Sequence, residues 1–327
     1  MSVPITLACG PYDRTLALAD GRVRVPGVDL NYLPLEAEEI FFRMARHHEF
    51  DVAEMSLSSY TLSVLRGKPF TAIPVFPSRT FRHHGVYVRN DSEITHPSQL
   101  RGGVIGIPEY QMTASVWIRG MLAEHYDLPV SSVSYRTGGL LHPGRIEKLK
   151  IDVPGVTITP IGEGETLSRL LESGEIDALY TARTPAGFGE PGSRLRRLWS
   201  DPQPVEADYF TKTSVFPIMH TVVMRTDVYE RNRWLARSLM DAFAEAKALA
   251  MANLAEVVAL PNLLPWGYLQ AEAVRDLMGA DHWPYGIADN RTTLEVFLGY
   301  MDDQGLTERR LQPEELFAAE THDSFVI

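Results

Sequence analysis

The sequence predicts an α/β protein of two domains, the first of them discontinuous. Three observations predict it. Apolar strand-like runs alternate with helix-spaced patterns in βαβαβα order over residues 5–65, which implies a mostly parallel sheet. Two later stretches, TAIPVF…GVYV near residue 85 and SVFPIMHTVVM at 214–224, follow the same pattern of an apolar start, a proline, histidine and then a β-branched run. Read as two strands crossing between domains, they put residues 1–87 and 222–327 in one domain and 88–221 in an inserted second. At 327 residues the chain is long enough for both.

The elements follow in order. Ile5–Cys9 is a short apolar strand closed by Gly10-Pro11, and Tyr12, Asp13 and Arg14 lead into a helix over Thr15–Ala19. Val28–Leu33 reads as a strand, and Glu36–His47 places Ile40, Phe41, Met44 and Ala45 at helical spacing. Asp51–Met55 is a strand leaving through Ser56, Ser58, Ser59 and Tyr60 into a helix over Leu57–Leu65. After Val88, Gly103–Ile107 is a strand whose exit, Pro108 to Thr113, opens a helix from about Ala114 to Tyr126. Strands at Val133–Tyr135, Val156–Ile161 and Ile176–Tyr180 follow, with a helix over Glu165–Ser173. Ala186–Ser193 is a Gly/Pro-rich loop, Val228–Leu254 one long helix, and Leu294–Met301 the last helix.

Composition is that of a soluble globular protein, 45% hydrophobic and 22% charged. A net charge of −11 disfavours nucleic acid and anionic membranes as partners. The N-terminus, MSVPITLACGPYDRT, has no charged n-region followed by a long apolar h-region, and no window approaches a membrane span, so the expectation is a cytoplasmic protein. The single cysteine, Cys9, allows no disulfide framework and reads as a small core residue. There is no Gly-rich phosphate loop, GxSxG elbow or HExxH motif.

Against the negative total stands a dense local cluster of cations, Arg79, Arg82, His83 and His84, between two strand-like runs. Guanidinium forks match planar carboxylates, and imidazoles move protons near neutral pH. A solvated basic loop is the bland alternative. Other polar groups fall at strand exits, where α/β sheets bind ligands: Tyr12 and Asp13, Ser56 to Ser59, Glu109 to Thr113, Arg183 and His220. Each has an ordinary alternative: a helix cap for Ser56 and Ser58, a core histidine for His220, a surface carboxylate near a helix start for Glu109, an ion pair for Arg183. Jointly they describe a site for a small anion.

The strings FPSRTFRHHGVYV, IGIPEYQMTASVWIRGML, TSVFPIMHTVVMR and DHWPYGIADNRTTLEVF resemble the 4,5-dihydroxyphthalate decarboxylase family. The likeness covers most of the chain; 104–121 and 214–225 are its specific parts, and 136–165 and 186–205 are weaker. It implies the two-lobe architecture of type 2 periplasmic solute-binding proteins without an export signal. That is an α/β fold with mixed sheets, helices on both faces and a ligand cleft between lobes that hinge near 86–89 and 220–225. It also implies a cofactor-free carboxy-lyase acting on a small anionic aromatic acid, with a divalent metal and a homo-oligomer left open.

For that substrate, Arg79 and Arg82 are the expected carboxylate clamps, with Tyr12, Asp13, Ser56, Ser58, Tyr110, Thr113 and Arg183 lining the site. His220 is the first choice for the general acid, His83 and His84 the next, and Glu109 an outside candidate. Two competing readings are a solute-binding module for a small anion and a biosynthetic enzyme of the thiamine-pyrimidine type. The latter requires an iron site, for which no cysteine-rich segment speaks.

Overall fold

The computed structural model describes residues 2–67, 69–145 and 152–322. In chain order its first elements are β1 (Val3–Cys9), α1 (Asp13–Ala19), β2 (Val28–Pro34), α2 (Ala37–His47), β3 (Val52–Ser56), α3 (Leu57–Leu65) and β4 (Phe70–Arg79). Next come β5 (Val86–Arg89), β6 (Val104–Ile107), α4 (Thr113–His125), β7 (Ser134–Thr137), β8 (Ile158–Pro160), α5 (Leu167–Ser173), β9 (Ala178–Tyr180), β10 (Leu195–Arg197) and α6 (Pro202–Thr213). The chain closes with β11 (Ile218–Arg225), α7 (Thr226–Arg231), α8 (Trp234–Leu254), α9 (Gly267–Met278) and α10 (Arg291–Asp303).

These elements form two compact units. The first comprises Met1–Arg79, Ile218–Glu295 and Leu311–Ile327; the second comprises Thr80–Pro217 and Val296–Arg310. The chain passes between them at Arg79/Thr80 and Pro217/Ile218, earlier than the expected boundaries, and twice more around Val296–Arg310, which was expected in the first domain and belongs to the second unit. Strand pairing is the reason for the two earlier crossings. β11 is bonded along its length to β3 and β4, so all of it belongs to the first unit, and β5 is bonded to β9 and β10, so all of it belongs to the second. The expected hinge stretches, 86–89 and 220–225, are therefore ladder-bonded on both sides, which removes the backbone freedom a hinge needs.

In the first unit the sheet order is β2-β1-β3-β11-β4, with β1 parallel to β2 and β3, and β11 antiparallel to β3 and β4. β3, VAEMS, sits between β1 and β11, and all five of its residues are buried. A strand covered on both faces needs a continuous apolar run, so the one carboxylate inside it, Glu54, must be compensated locally. β4 carries Pro74 and Pro77, which offer no N–H to a ladder. Its pairing with β11 accordingly slips twice, on either side of His220.

In the second unit the order is β10-β5-β9-β6-β7-β8, parallel from β9 to β8 and antiparallel at β10-β5-β9. The sheets are thus mixed. A core of Tyr87, Leu167, Leu171, Ile176, Leu179 and Leu195 lies under this sheet. Gly120 of α4 lets the Tyr300 ring lie directly on the helix backbone, in space a Cβ would occupy.

Several boundaries differ from expectation. Arg79 closes β4 and is not a loop residue. The expected helix over Val228–Leu254 breaks at Asn232-Arg233 into α7 and α8. β10, α6 and α9 were not expected from the sequence. Among the described residues, no helix is long and apolar enough to cross a membrane.

Candidate active site

The first unit buries a carboxylate directly behind a histidine. Glu54 on β3 is opposite Val222 on β11, and His220 is opposite Ser56. Glu54 and His220 are therefore diagonal neighbours on one sheet face, a spacing within reach of long side chains. His220 Nδ1–H donates to Glu54 Oε1 at 2.5 Å. Glu54 is fully buried, whereas the His220 side chain keeps 19% exposure. Among the described residues Nε2 of His220 has no hydrogen-bond partner. The edge of the Phe41 ring meets the imidazole at 4.8 Å and 85°.

The exit of β1 supplies the rest of the carboxylate's partners. Gly10 N–H donates to Glu54 Oε2 at 2.9 Å, Tyr12 O–H to Oε1 at 2.9 Å, and the Cys9 thiol to Oε2 at 3.5 Å. Gly10 is required here, because a Cβ on it would lie 2.5 Å from the Tyr12 ring that folds back over it. Tyr32 O–H and Thr15 Oγ1 both donate to the Gly10 carbonyl, at 2.9 and 3.0 Å, and fix the turn.

Burial alone would raise the Glu54 carboxyl. The positive charge of His220 and hydrogen bonds from His220, Gly10 and Tyr12 outweigh that and hold it below its ordinary 4.5. An ionised Glu54 can only accept, so Nδ1 of His220 is the donor nitrogen, and proton exchange with anything outside falls to Nε2. The same negative surroundings, after burial itself, push the Cys9 thiol and the Tyr12 phenol well up. Both remain protonated donors to Glu54. Cys9 is thus a core residue, as expected, but one that touches the candidate site.

Arg14 lies next to this network. Its guanidinium is sandwiched 4.2 Å from the Tyr12 ring centroid and 4.5 Å from that of Trp283, and its Nε donates to the Pro77 carbonyl at 2.6 Å. Asp13 is exposed and pairs with Arg14 at 3.1 Å. Ser56 occupies the N-cap position of α3 without a side-chain cap bond, beside His220, and Ser58 is buried in the first turn of α3.

The cation cluster does not act as one group. Arg79, in the first unit, is buried; its Nη2 donates to the Pro284 carbonyl at 2.8 Å and to Asn290 Oδ1. Arg82, in the second unit, is buried too. Burial works against both charges, pushing Arg79 down to about 9 and Arg82 to about 10, so both stay protonated at neutral pH.

His83 corrects the expectation of a reserve proton donor. It is fully buried among the Tyr126, Trp199 and Tyr209 rings, at centroid distances of 5.7, 5.2 and 5.3 Å. Its Nε2 bonds the Tyr126 hydroxyl at 2.9 Å. Burial pushes it down to about 4, so it is neutral where a general acid must hold its proton. His84 ties its loop to α6, Nδ1 meeting Glu206 Oε1 at 3.1 Å.

The remaining second-unit candidates are engaged in packing and ion pairing. Glu109 is buried and accepts from Arg145 Nε and Nη2 at 2.9 and 2.6 Å and from Gln111 Nε2 at 2.7 Å. A carboxylate held this way is a charge partner, which corrects its candidacy as a proton donor. Tyr110 is corrected likewise. Its ring is fully buried under the Arg119 guanidinium at 3.8 Å, and its hydroxyl donates to the Gln304 carbonyl at 3.3 Å. Thr113 is buried as the first residue of α4, and Arg183 is exposed.

Of the candidates named from sequence, the structure brings His220, Tyr12 and Ser56 together. Glu54, Gly10, Cys9, Arg14 and Tyr32 were not named. The signal for Glu54 was available: an acid in the middle of DVAEM, a run that reads as a buried strand. The contacts of Tyr32 and Arg14 had none, since they depend on β2 lying beside β1 and on Trp283 coming from far along the chain. Among the described residues, no three His, Cys, Asp or Glu side chains are grouped to hold a metal ion.

No protein-family model matches the chain. A 4,5-dihydroxyphthalate decarboxylase from Comamonas testosteroni is 42% identical over 325 residues, covering 99% of this chain and 98% of the relative. One from Pseudomonas putida is 42% identical over 212 residues, 64% of this chain and 82% of the relative. Among solved structures, the periplasmic aliphatic sulphonate binding protein SsuA of Escherichia coli has a TM-score of 0.55 at 12% identity, covering 98% of this chain and 99% of its own. The periplasmic sulfonate-binding protein SsuA of Methylobacillus flagellatus has a TM-score of 0.58 at 12% identity, with coverage of 97% and 91%. At that identity the likeness concerns the fold alone, and it is the binding-protein fold expected from the sequence.

Proposed function

The chain belongs to the 4,5-dihydroxyphthalate decarboxylase family, and from that premise we propose that it converts 4,5-dihydroxyphthalate to protocatechuate and CO₂ with His220 as the proton donor. The observation that carries the catalytic part is the Glu54–His220 pair: a fully buried carboxylate fixing Nδ1 while Nε2 has no hydrogen-bond partner among the described residues.

The chemistry needs little else. In the substrate each carboxylate is para to a hydroxyl. That hydroxyl pushes electron density onto the carbon bearing the carboxylate, and the Nε2 proton of His220 goes to this carbon. The C–C bond to the carboxylate then breaks, its electron pair restores the aromatic ring, and CO₂ leaves. The sum is one proton consumed and one C–H bond formed for one C–C bond broken. The para hydroxyl does the work of an organic electron sink, so the reaction calls for no cofactor of that kind. Solvent reprotonates Nε2. Throughout, Glu54 holds the ring in one orientation, and its negative charge faces the positive charge of the doubly protonated imidazole. A general acid so placed is worth about 10²–10⁴-fold in rate.

The substrate keeps a second carboxylate throughout, which suits recognition by a guanidinium. Arg14, with two aromatic rings to hold it and a location beside Tyr12, fits that role in the first unit better than Arg79, whose Nη2 is bonded to Asn290 and Pro284. A binding protein for a small anion is the other reading the fold permits. Fold does not carry function, and the 42% identity to decarboxylases outweighs the 12% identity to sulfonate-binding proteins.

Purified protein incubated with 4,5-dihydroxyphthalate in D₂O is expected to release CO₂ and give protocatechuate with one ring deuterium. His220→Gln should abolish turnover while still binding substrate by calorimetry. Tight binding with no turnover by the wild type would favour the binding-protein reading. Undiminished turnover by the variant would remove His220 from the mechanism.

A further inference from the structure

The loop joining α9 to α10 brings a tyrosine to the candidate site, and the proton transfer to the ring makes no use of it. Its residues 281–286, DHWPYG, are anchored at successive positions. The Trp283 carbonyl accepts from Lys247 Nζ at 3.0 Å, and the Pro284 carbonyl accepts from Arg79 Nη2 at 2.8 Å and from Asn290 Nδ2 at 3.1 Å. Gly286 N–H donates to the Pro74 carbonyl at 2.8 Å, and Gly286 takes the chain round at φ 89°, where a side chain would be strained. Tyr285 is thereby held in place, 8% exposed, with its hydroxyl oxygen buried and without a hydrogen-bond partner among the described residues. Buried hydroxyls are rarely left so in folded proteins.

Two observations put that hydroxyl at the site. Trp283, two residues earlier, lays its ring on the Arg14 guanidinium at 4.5 Å. Burial pushes the Tyr285 phenol well up; next come Arg14, which pulls it down, and Cys9, which pushes it up, so it stands within electrostatic range of the exit of β1. It keeps its proton at neutral pH and can donate. Arg14 offers another donor. Its Nε is engaged by the Pro77 carbonyl and its Nη1 by Asp13, while Nη2 has no hydrogen-bond partner among the described residues.

We propose that Tyr285 O–H and Arg14 Nη2 together hold the carboxylate that the substrate keeps, and that this hold limits the reaction to one CO₂; the proposal deepens the decarboxylase reading and rests on it. Electronics alone would not stop the reaction there. In protocatechuate the remaining carboxylate is still para to a hydroxyl, so the push that expelled the first CO₂ is still available. Placement supplies the stop. With one carboxylate held, the ring carbon bearing its neighbour is the one presented to His220 Nε2. The product has a single carboxylate, which goes to the same two donors and leaves a C–H at Nε2. Two donors waiting for one carboxylate also predict selection of the dicarboxylate over monocarboxylate analogues, which cannot fill this subsite and present a leaving carboxylate at once.

The test compares the wild type with Tyr285→Phe and Arg14→Met, by initial rates and by calorimetric titration with phthalate, which has both carboxylates and no hydroxyl. Tyr285→Phe is expected to raise KM for 4,5-dihydroxyphthalate and to weaken phthalate binding by the same factor, about 10–100-fold for a hydrogen bond to a charged group, with kcat within about threefold. Its Tm should equal or exceed that of the wild type, because the unpaired hydroxyl is gone; a tyrosine that served packing alone would leave KM unmoved. Arg14→Met should weaken phthalate binding at least as much. The wild type kept with protocatechuate should give no catechol by chromatography. Wild-type phthalate affinity in Tyr285→Phe, or catechol accumulating at a rate near that of protocatechuate formation, would overturn the proposal. A wild type that binds phthalate and turns nothing over strikes the decarboxylase reading instead, and the titrations of the two variants still decide the subsite.

Discussion

Glu54→Gln is the sharpest test of the active-site reading. The substitution keeps shape and volume and removes one charge. Glu54 accepts from His220 Nδ1 and Tyr12 on one oxygen, and from Gly10 N–H and the Cys9 thiol on the other. A glutamine must turn its NH₂ toward one of these two sides. Facing Gly10, it sets two buried donors against each other, at a cost of about 1–3 kcal/mol. Facing His220, it forces Nδ1 to accept, reverses the tautomer and deprives the ring of its counter-charge. In either orientation kcat should fall at least ~10²-fold, about 2.7 kcal/mol of barrier, with KM changed little, because Glu54 is buried behind His220 and away from the substrate. Protocatechuate formation followed by absorbance gives kcat and KM, and scanning fluorimetry gives the loss of Tm, expected at several degrees. A folded Glu54→Gln protein whose kcat is within about threefold of the wild type would refute the reasoning.

Further outcomes follow from the geometry. His83 is depressed from 6.5 to about 4 by burial; the unfolded chain therefore binds its proton first as pH falls. The stability it contributes is complete above pH 6.5 and is lost on the way to pH 4, so wild-type Tm should fall over that window, and His83→Phe should flatten the slope. Glu54, depressed below 4.5, adds a second loss at lower pH, present above the unfolded value and removed as the folded carboxyl titrates. Arg145→Met should leave the buried Glu109 carboxylate without its guanidinium and cost about 2–3 kcal/mol by urea unfolding, a figure reduced because Arg145 is one-quarter exposed. Glu109→Gln should lower Tm yet keep kcat within about fivefold, since Glu109 is a charge partner and not the acid. Gly120→Ala should destabilise by about 1–3 kcal/mol in the same assay despite the better helix propensity of alanine, because its Cβ would fall on the Tyr300 ring.

The elements of the first unit were legible because each announces itself locally. ITLAC followed by Gly-Pro, and DVAEM followed by a serine run, carry strand, turn and helix start within a dozen residues. α9 escaped because its apolar residues form two faces, which blurs a single helical period, and α6 because PQPVEADYF opens on two prolines. His220 was legible as a histidine in a β-branched run and was the first choice for the acid from sequence; the structure adds that His83 is buried in an aromatic cage and that His84 is tied to Glu206. The four-cation cluster looked like one device because its members are adjacent in sequence. It straddles the boundary between two units, and Arg79 faces Asn290 and Pro284 in the first of them.

By itself the sequence determined the α/β class and the family, since these are written in local periodicity and in motifs of contiguous residues. Only the tertiary structure decided which side chains meet. Cys9 and Tyr12 come from the end and exit of β1, Glu54 from β3 and His220 from β11, 166 residues beyond Glu54, and sheet order and register join them. A sequence gives the period of a strand but not its neighbour, and the neighbour is what sets a buried carboxylate behind one histidine and not another.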